Sequence, residues 1–256
     1  MASLQQLVST LDDLLEVGAF SDLGPNGLQV PASNRHANVT RVVTGVSAQR
    51  ELSERAVELG AQLLVVHHGL FWDFHPTGLT PRLAERLRPL LANDVALAAY
   101  HLPLDAHPEL GNNALLARAL GCETHEPFGR FRGQAVGRAG RFAGDGIAVH
   151  ELRERVRAAT QREPTLLGDG PERIRTIGIV SGSAADNLEE AVALGLDAFL
   201  TGEPREHVMA DAREAGIHFI AAGHYATETF GVRALGDLLA ERFGVEHVFV
   251  DIPNPV

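Results

Sequence analysis

An α/β fold made of two pseudo-repeated βαβ-type halves, with a small α+β insert between them, is predicted by three features of this sequence. Apolar runs rich in Val, Ile and Ala alternate with amphipathic stretches, which is the pattern of parallel α/β units. The order of these runs occurs twice along the chain. Two of the runs, one in each half, end in the same His-x-x-x-acid spacing: His101 with Asp105, and His224 with Glu228.

In the first half, strands are expected near Val42–Val46, Leu63–Val66 and Val95–Ala99, with helices over Arg50–Leu59 and Pro81–Asn93. The second half repeats the order. Its strands are expected near Thr176–Val180, Ala198–Leu200 and His218–Ala221, with helices over Ala185–Leu194 and Arg205–Ala215. The letters also repeat: ELGAQLLVVHHG (58–69) aligns with ALGLDAFLTGEP (193–204), and VALAAYHLPLD (95–105) with IHFIAAGHYATE (217–228). General likeness among α/β units is the competing explanation, and the shared endings favour duplication. Residues 122–172 have a different texture: a Gly-interrupted strand (GQAVGRAGRFAG), a helix (IAVHELRERVRAATQ), then a strand and turn (PTLLGDGPE). The expected organisation is one duplicated metal-binding domain, 1–121 and 173–256, carrying 122–172 as the insert. A helix over Thr229–Arg242 and a strand over Val245–Val250 close the chain.

Composition narrows the function. No apolar run approaches the roughly 18 residues that a membrane-spanning helix needs, and the acidic N-terminal stretch reads as an amphipathic helix rather than a signal peptide. The single cysteine, Cys122, rules out an intramolecular disulfide or a thiolate cluster, and a cytoplasmic location follows most simply. All 22 basic side chains are arginine, so no P-loop lysine or lysine Schiff base exists. Arginine remains available for bidentate recognition of phosphate or carboxylate. A net charge of −11 argues against non-specific binding of nucleic acid by the whole surface, which makes nucleic acid an unexpected partner and leaves only a local Arg patch open.

Twelve histidines is a high number, and several fall where chemistry is expected. Ligands of open α/β sheets bind beyond the carboxyl ends of the strands. Four predicted strands end there in His67–His68, in His101 with Asp105, in Glu203, and in His224 with Glu228. Imidazole and carboxylate without thiolate suit zinc, iron, manganese, cobalt or nickel, with a pair of zinc, iron or manganese ions expected. Adjacent strand residues point to opposite faces, so His67 and His68 converge only where the chain leaves the extended form, a departure that Gly69 permits. Two ions, each taking one histidine, satisfy this geometry more easily than one ion; alternatively one histidine is a ligand and the other a hydrogen-bonded core residue.

His224 and Glu228 share a face if a helix begins there, to chelate one ion or bridge two, although such pairs are commonly surface contacts. Pro103 is expected to make HLPLD a shaped loop. Within it Asp105 is a good carboxylate ligand, and His101 is a ligand-orienting group or an acid–base catalyst. In GNN (111–113) an Asn is the expected cap of the next helix. Glu203 and His207 are weaker candidates, open between a helix-start pair and a place near the site. SGS (181–183) is at most suggestive of an anion site. His36, His75, His107, His125, His150, His218 and His247 lack a companion pattern and read as structural or surface groups. No G-x-x-x-x-G-K-[ST], H-E-x-x-H or G-x-S-x-G is present.

The segments VVHHGLFW, AYHLPLDAHPELGNNALLARALG, TGE and GHYATETFGVRAL, together with SDLGPNGLQV (21–30), resemble the GTP cyclohydrolase 1 type 2-like family of dinuclear-metal-centre hexameric proteins. The likeness runs from about residue 4 to the C-terminus. It implies that His67 and His68 each hold one of two divalent ions, that Asp105, His224 and Glu228 complete the set, and that Glu228 is suited to bridging. It also implies that His101 lines the site and that the chain forms a toroidal homohexamer. The implied activity is hydrolytic opening of a purine nucleotide ring, in which a hydroxide generated at the metals attacks C8 of GTP and His101 shuttles a proton. Rival readings are a metal-dependent phosphoesterase and a non-catalytic metal-binding scaffold or regulatory ring.

Overall fold

The computed structural model describes residues 2–34 and 38–256; His36 lies outside them. In chain order the main elements are α1 (Leu4–Leu14), β1 (Gly27–Val30), β2 (Arg41–Ser47), α2 (Arg50–Glu58), β3 (Leu63–His68), α3 (Pro81–Ala92), β4 (Ala96–Ala99), α4 (Leu102–Ala106) and α5 (Asn112–Ala119). There follow β5 (Thr124–Phe131), β6 (Gln134–Arg141), α6 (Val149–Thr160), β7 (Thr165–Leu167), β8 (Thr176–Ile179) and α7 (Leu188–Ala193). The chain ends with β9 (Ala198–Thr201), α8 (Val208–Ala215), β10 (His218–Ala221), α9 (His224–Thr227), α10 (Thr229–Phe243) and β11 (Glu246–Phe249). No helix among the described residues is long and apolar enough to cross a membrane.

The elements gather into two units, Met1–Leu104 with Gly231–Ile252, and Asp105–Phe230 with Pro253–Val256. The first holds a five-stranded sheet in the order β11-β2-β3-β4-β1. β2, β3 and β4 are parallel and in register, Val42 opposite Leu63 and Leu63 opposite Ala96, with β1 antiparallel at one edge. Because helices cover such strands, both strand faces must be apolar. Leu63, Leu64, Val65 and Val66 are accordingly all 0% exposed. Val43, Leu64, Val66 and Leu97 pack with Leu52 and Ala56 of α2 and Leu90 of α3, and each large side chain so buried contributes about 2 kcal/mol. α1 opens on a capping box: Ser3 Oγ accepts from the Gln6 N–H, and the Ser3 N–H donates to Gln6 Oε1.

The second unit repeats the parallel core as β8, β9 and β10, Ile177 opposite Ala198 and Ala198 opposite His218. Its six-stranded sheet runs β7-β10-β9-β8-β6-β5. The segment 122–172, expected to stand apart as an insert, therefore supplies β5, β6 and β7 to the same sheet, all paired antiparallel. Nothing in the sequence pattern announces β5, since THEPFGRF carries Pro127 and Gly129. It is the edge strand, where a missing N–H costs no ladder bond. Leu152 and Val156 of α6 join Ile177, Ile179, Leu200 and Ile220 in this unit's core.

Two local expectations are corrected. HLPLD is not a loop: residues 102–106 form α4. Pro103 lies in the first turn, where backbone N–H groups have no intrahelical acceptor and their loss is harmless. The cap of α5 is Gly111 rather than an asparagine. Asn112 and Asn113 begin the helix with buried side chains that serve the site described next.

Candidate metal centre

In the first unit the apolar run LLVV (63–66) of β3 delivers His67 and His68 at its carboxyl end, and the chain after β4 delivers His101. Ring centroids of His67 and His68 are 4.8 Å apart, and those of His67 and His101 are 5.0 Å apart. One ligand nitrogen from each of the three lies within 4.8 Å of the others. The neighbouring histidines thus converge at the strand's last two residues. Gly69 assists differently from expectation. It is not among the residues at positive φ; instead a Cβ there would sit 2.3 Å from the Gln29 side-chain amide, whose Oε1 accepts the Leu70 N–H.

The hydrogen bonds of these rings decide which nitrogen carries the proton. His67 Nδ1 lies 2.8 Å from the Tyr100 carbonyl oxygen. A carbonyl only accepts, so Nδ1 is protonated and the lone pair of the neutral ring is on Nε2. His101 Nδ1 lies 2.7 Å from Asp22 Oδ1, and the same inference holds. His68 Nδ1 meets Ser47 Oγ at 3.1 Å. Tethering of one ring nitrogen by a carbonyl or carboxylate is how proteins orient metal-ligating or base-acting histidines.

Asp22 is the residue that reading the sequence missed. Its carboxylate also accepts from the Leu23 and Leu102 N–H groups and from Asn26 Nδ2. Burial raises its pKa, yet the hydrogen bond and charge of His101, with Asn26 and Leu23, outweigh burial and hold it at about 2. The signal was the Asp-x-x-x-Asn spacing inside SDLGPNGLQV. Trp72 was also missed: its ring stands edge-on to His101 at 5.1 Å and to His68 at 5.9 Å.

The second unit gathers the carboxylates. Asp105 is 6% exposed and Glu228 is 3% exposed. Asp105 Oδ1 accepts from Asn112 Nδ2 at 2.8 Å and from Ser181 Oγ at 3.0 Å. SGS therefore orients a carboxylate rather than binding an anion. As expected for a helix beginning at His224, His224 Nε2 and Glu228 Oε1 face each other at 3.2 Å. Glu203 takes the opposite side of the same ring, hydrogen-bonded to Nδ1. Burial lowers the His224 pKa, but Glu228 and Glu203 together push it up to about 9. Gly182 is placed so that a Cβ would lie 2.4 Å from Glu228 Oε1; only glycine leaves room for that carboxylate. His207, by contrast, pairs with Asp211 on the exposed start of α8.

These groups fit a divalent metal. The first unit offers imidazoles with Nδ1 tethered, and the second offers His224 between two carboxylates, Glu203 and Glu228. Glu228 and, apart from that trio, Asp105 are buried, placing negative charge that a cation relieves. No thiolate competes: Cys122 is buried in the second unit's core, where burial pushes its thiol up to about 12. A separate Thr44–His247–Asp237 chain, with 2.8 Å contacts on both ring nitrogens, has the connectivity of a nucleophile relay. Thr44 is 0% exposed, so its hydroxyl cannot meet a substrate.

The relatives agree with this architecture. A GTP cyclohydrolase 1 type 2 homolog of Pseudomonas aeruginosa is 44% identical over 253 residues, 99% of this chain and 98% of that protein. A protein of the same description from Deinococcus radiodurans is 40% identical, covering 97% and 93%. A crystal structure of a Thermus thermophilus protein superposes with a TM-score of 0.90 at 36% identity, covering 99% of this chain and 100% of that one. Reduced HcgD from Methanocaldococcus jannaschii shares the fold, with a TM-score of 0.85 at 21% identity over 98% of each chain. With residues 2–255 also matching its family-wide pattern, the chain belongs to the Duf34/NIF3 (NGG1p interacting factor 3) family.

Proposed function

We propose that the chain is a dinuclear-metal-dependent hydrolase of a small molecule, with His67, His68, Asp105, His224 and Glu228 as the metal ligands. The observation that carries this reading is the tethering of histidine Nδ1 atoms: carbonyl on His67, carboxylate on His101, carboxylate on His224. In His67 and His101 this commits Nδ1 to a hydrogen bond and leaves Nε2 as ligand or base, whereas His224, held protonated between Glu203 and Glu228, would give up its Nε2 proton in exchange for a cation. A pair of zinc, iron or manganese ions, when bound, supplies Lewis acidity and an activated water.

The remaining roles belong to the chain. Asp22 holds His101 as the Nδ1–H tautomer, so Nε2 is the atom that accepts a proton at the reacting centre and returns it. Trp72, edge-on to His68 and His101, walls that side with an apolar ring. Asn112 and Ser181 fix the rotamer of Asp105, and Glu203 fixes the ring of His224. The description of the relatives as GTP cyclohydrolase 1 type 2 homologs makes purine ring opening the first activity to examine. A homohexamer, the assembly that the sequence resemblance implies, belongs to the same proposal.

The test is turnover of GTP and of simple phosphoesters by protein reconstituted with each metal. The reading expects metal-dependent hydrolysis of one of them, lost in Glu228→Ala and reduced by a factor of about 10² or more in His101→Ala. Hydrolysis that persists after chelation, or that survives Glu228→Ala, overturns it.

A further inference from the structure

The sequence contains many arginines without revealing which of them serve a ligand; the first unit distinguishes two. On the surface of α2 and α3 most arginines are paired within the helices: Arg50 with Glu54, Arg55 with Glu58, Arg88 with Glu85. Arg82 and Arg86, one turn apart on α3, make no hydrogen bond or ion pair among the described residues. Both line a cavity of about 510 Å³ between the start of α3 and the loop that follows the double histidine. His75, Thr80, Leu70 and Leu83 also line it, and no carboxylate does. The same two arginines also border a second cavity of about 500 Å³, lined as well by Arg50, Glu51, Glu54 and Glu85. The carboxylate-free cavity is therefore the one of the two in which an anion meets guanidinium groups without competing acids. Its size is that of a small-molecule site.

The same loop carries an aromatic strip. The Phe74 ring stacks on Trp72 with centroids 5.7 Å apart and planes 19° from parallel, although Phe74 is 65% exposed. At its other edge Trp72 meets His101 and His68. Phe74 in turn contacts His75, edge to face at 4.9 Å, beside the arginine cavity. From the histidines outward, the unit thus presents rings first and then the two guanidinium groups of Arg82 and Arg86. An exposed ring held in a stack offers a flat face to a planar heterocycle. Two arginines at i, i+4 offer forked donors that match phosphoryl oxygens.

We propose that this cavity is the subsite for the phosphoryl tail of a nucleoside phosphate, with Arg82 and Arg86 as its anion ligands and Phe74, stacked on Trp72, as the platform for the base. The assignment deepens the hydrolase reading, from which it takes the reacting end of the molecule; the tail contacts themselves need no metal.

The experiment is therefore calorimetric titration of full-length protein stripped of metal with chelator. Tripolyphosphate, guanosine, GTP and ATP are titrated into wild type, Arg82→Ala/Arg86→Ala, Phe74→Ala and, as a control on a paired arginine, Arg88→Ala. The expected result is that tripolyphosphate binds wild type and Arg88→Ala alike and binds the double variant at least tenfold more weakly. GTP and ATP should bind more tightly than tripolyphosphate, and Phe74→Ala should remove that advantage. Tripolyphosphate affinity unchanged in the double variant, or no binding to wild type, overturns the anion subsite. Equal affinity for GTP, ATP and tripolyphosphate overturns the nucleoside assignment. Metal content of the double variant, measured alongside, separates this failure from failure of the metal centre.

Discussion

Replacing Asp22 with asparagine removes one charge from a buried cluster of donors and keeps the shape. The wild-type carboxylate accepts from His101 Nδ1, Asn26 Nδ2 and the Leu23 and Leu102 N–H groups, and its side chain is 3% exposed. It titrates near 2 in the fold against 3.8 for an unperturbed aspartate. At about 1.4 kcal/mol per pH unit, ionised Asp22 stabilises the fold by about 2 kcal/mol at neutral pH. The sign follows from the lowered pKa: the stabilisation is complete above the unfolded value and is lost as pH falls through the folded one. Asp22→Asn is therefore expected to lose about 2 kcal/mol at pH 7 and roughly 1 kcal/mol at pH 3, because the wild type has by then given up part of its advantage. Urea unfolding of metal-free protein at the two pH values measures both differences. Equal stability at pH 7, or one deficit at both pH values, would refute the claim that the charge on Asp22 is what its donors hold.

Two other perturbations read the second unit. Gly182→Ala places a methyl within 2.4 Å of the Glu228 carboxylate, at a backbone φ of +69° that disfavours a side chain. It should lower stability by about 1 kcal/mol from the backbone alone and reduce metal retention further by displacing Glu228, as elemental analysis would show. Cys122, with its thiol pushed up to about 12 by burial, should resist alkylation in folded protein at pH 8 and react fully in denaturant; rapid labelling without denaturant would contradict that environment.

The parallel cores were legible because buried parallel strands must be apolar on both faces. LLVV (63–66) and AFLT (198–201) therefore stand out as letters alone. The candidate ligands were legible for a related reason: polar residues placed directly after such strands fall at the sheet's carboxyl edge, where sites form. What stayed hidden depended on partners distant in sequence. Asp22 meets His101 across 79 residues, and Ser181 meets Asp105 across 76; no local pattern announces either contact. α4 is easily misread because Pro103 resembles a helix-interior proline while it occupies the first turn. β5 is unreadable because its edge position leaves one side without a partner strand, and its burial does not alternate cleanly.

Metal content per chain tests the account most directly. Protein purified without added metal or an affinity tag is analysed as wild type, His67→Ala and Glu228→Ala. The account predicts about two ions per wild-type chain and loss in both variants, one altering an imidazole of the first unit and the other a carboxylate of the second. Wild-type protein that holds no metal, even after reconstitution with zinc, iron or manganese, would contradict it.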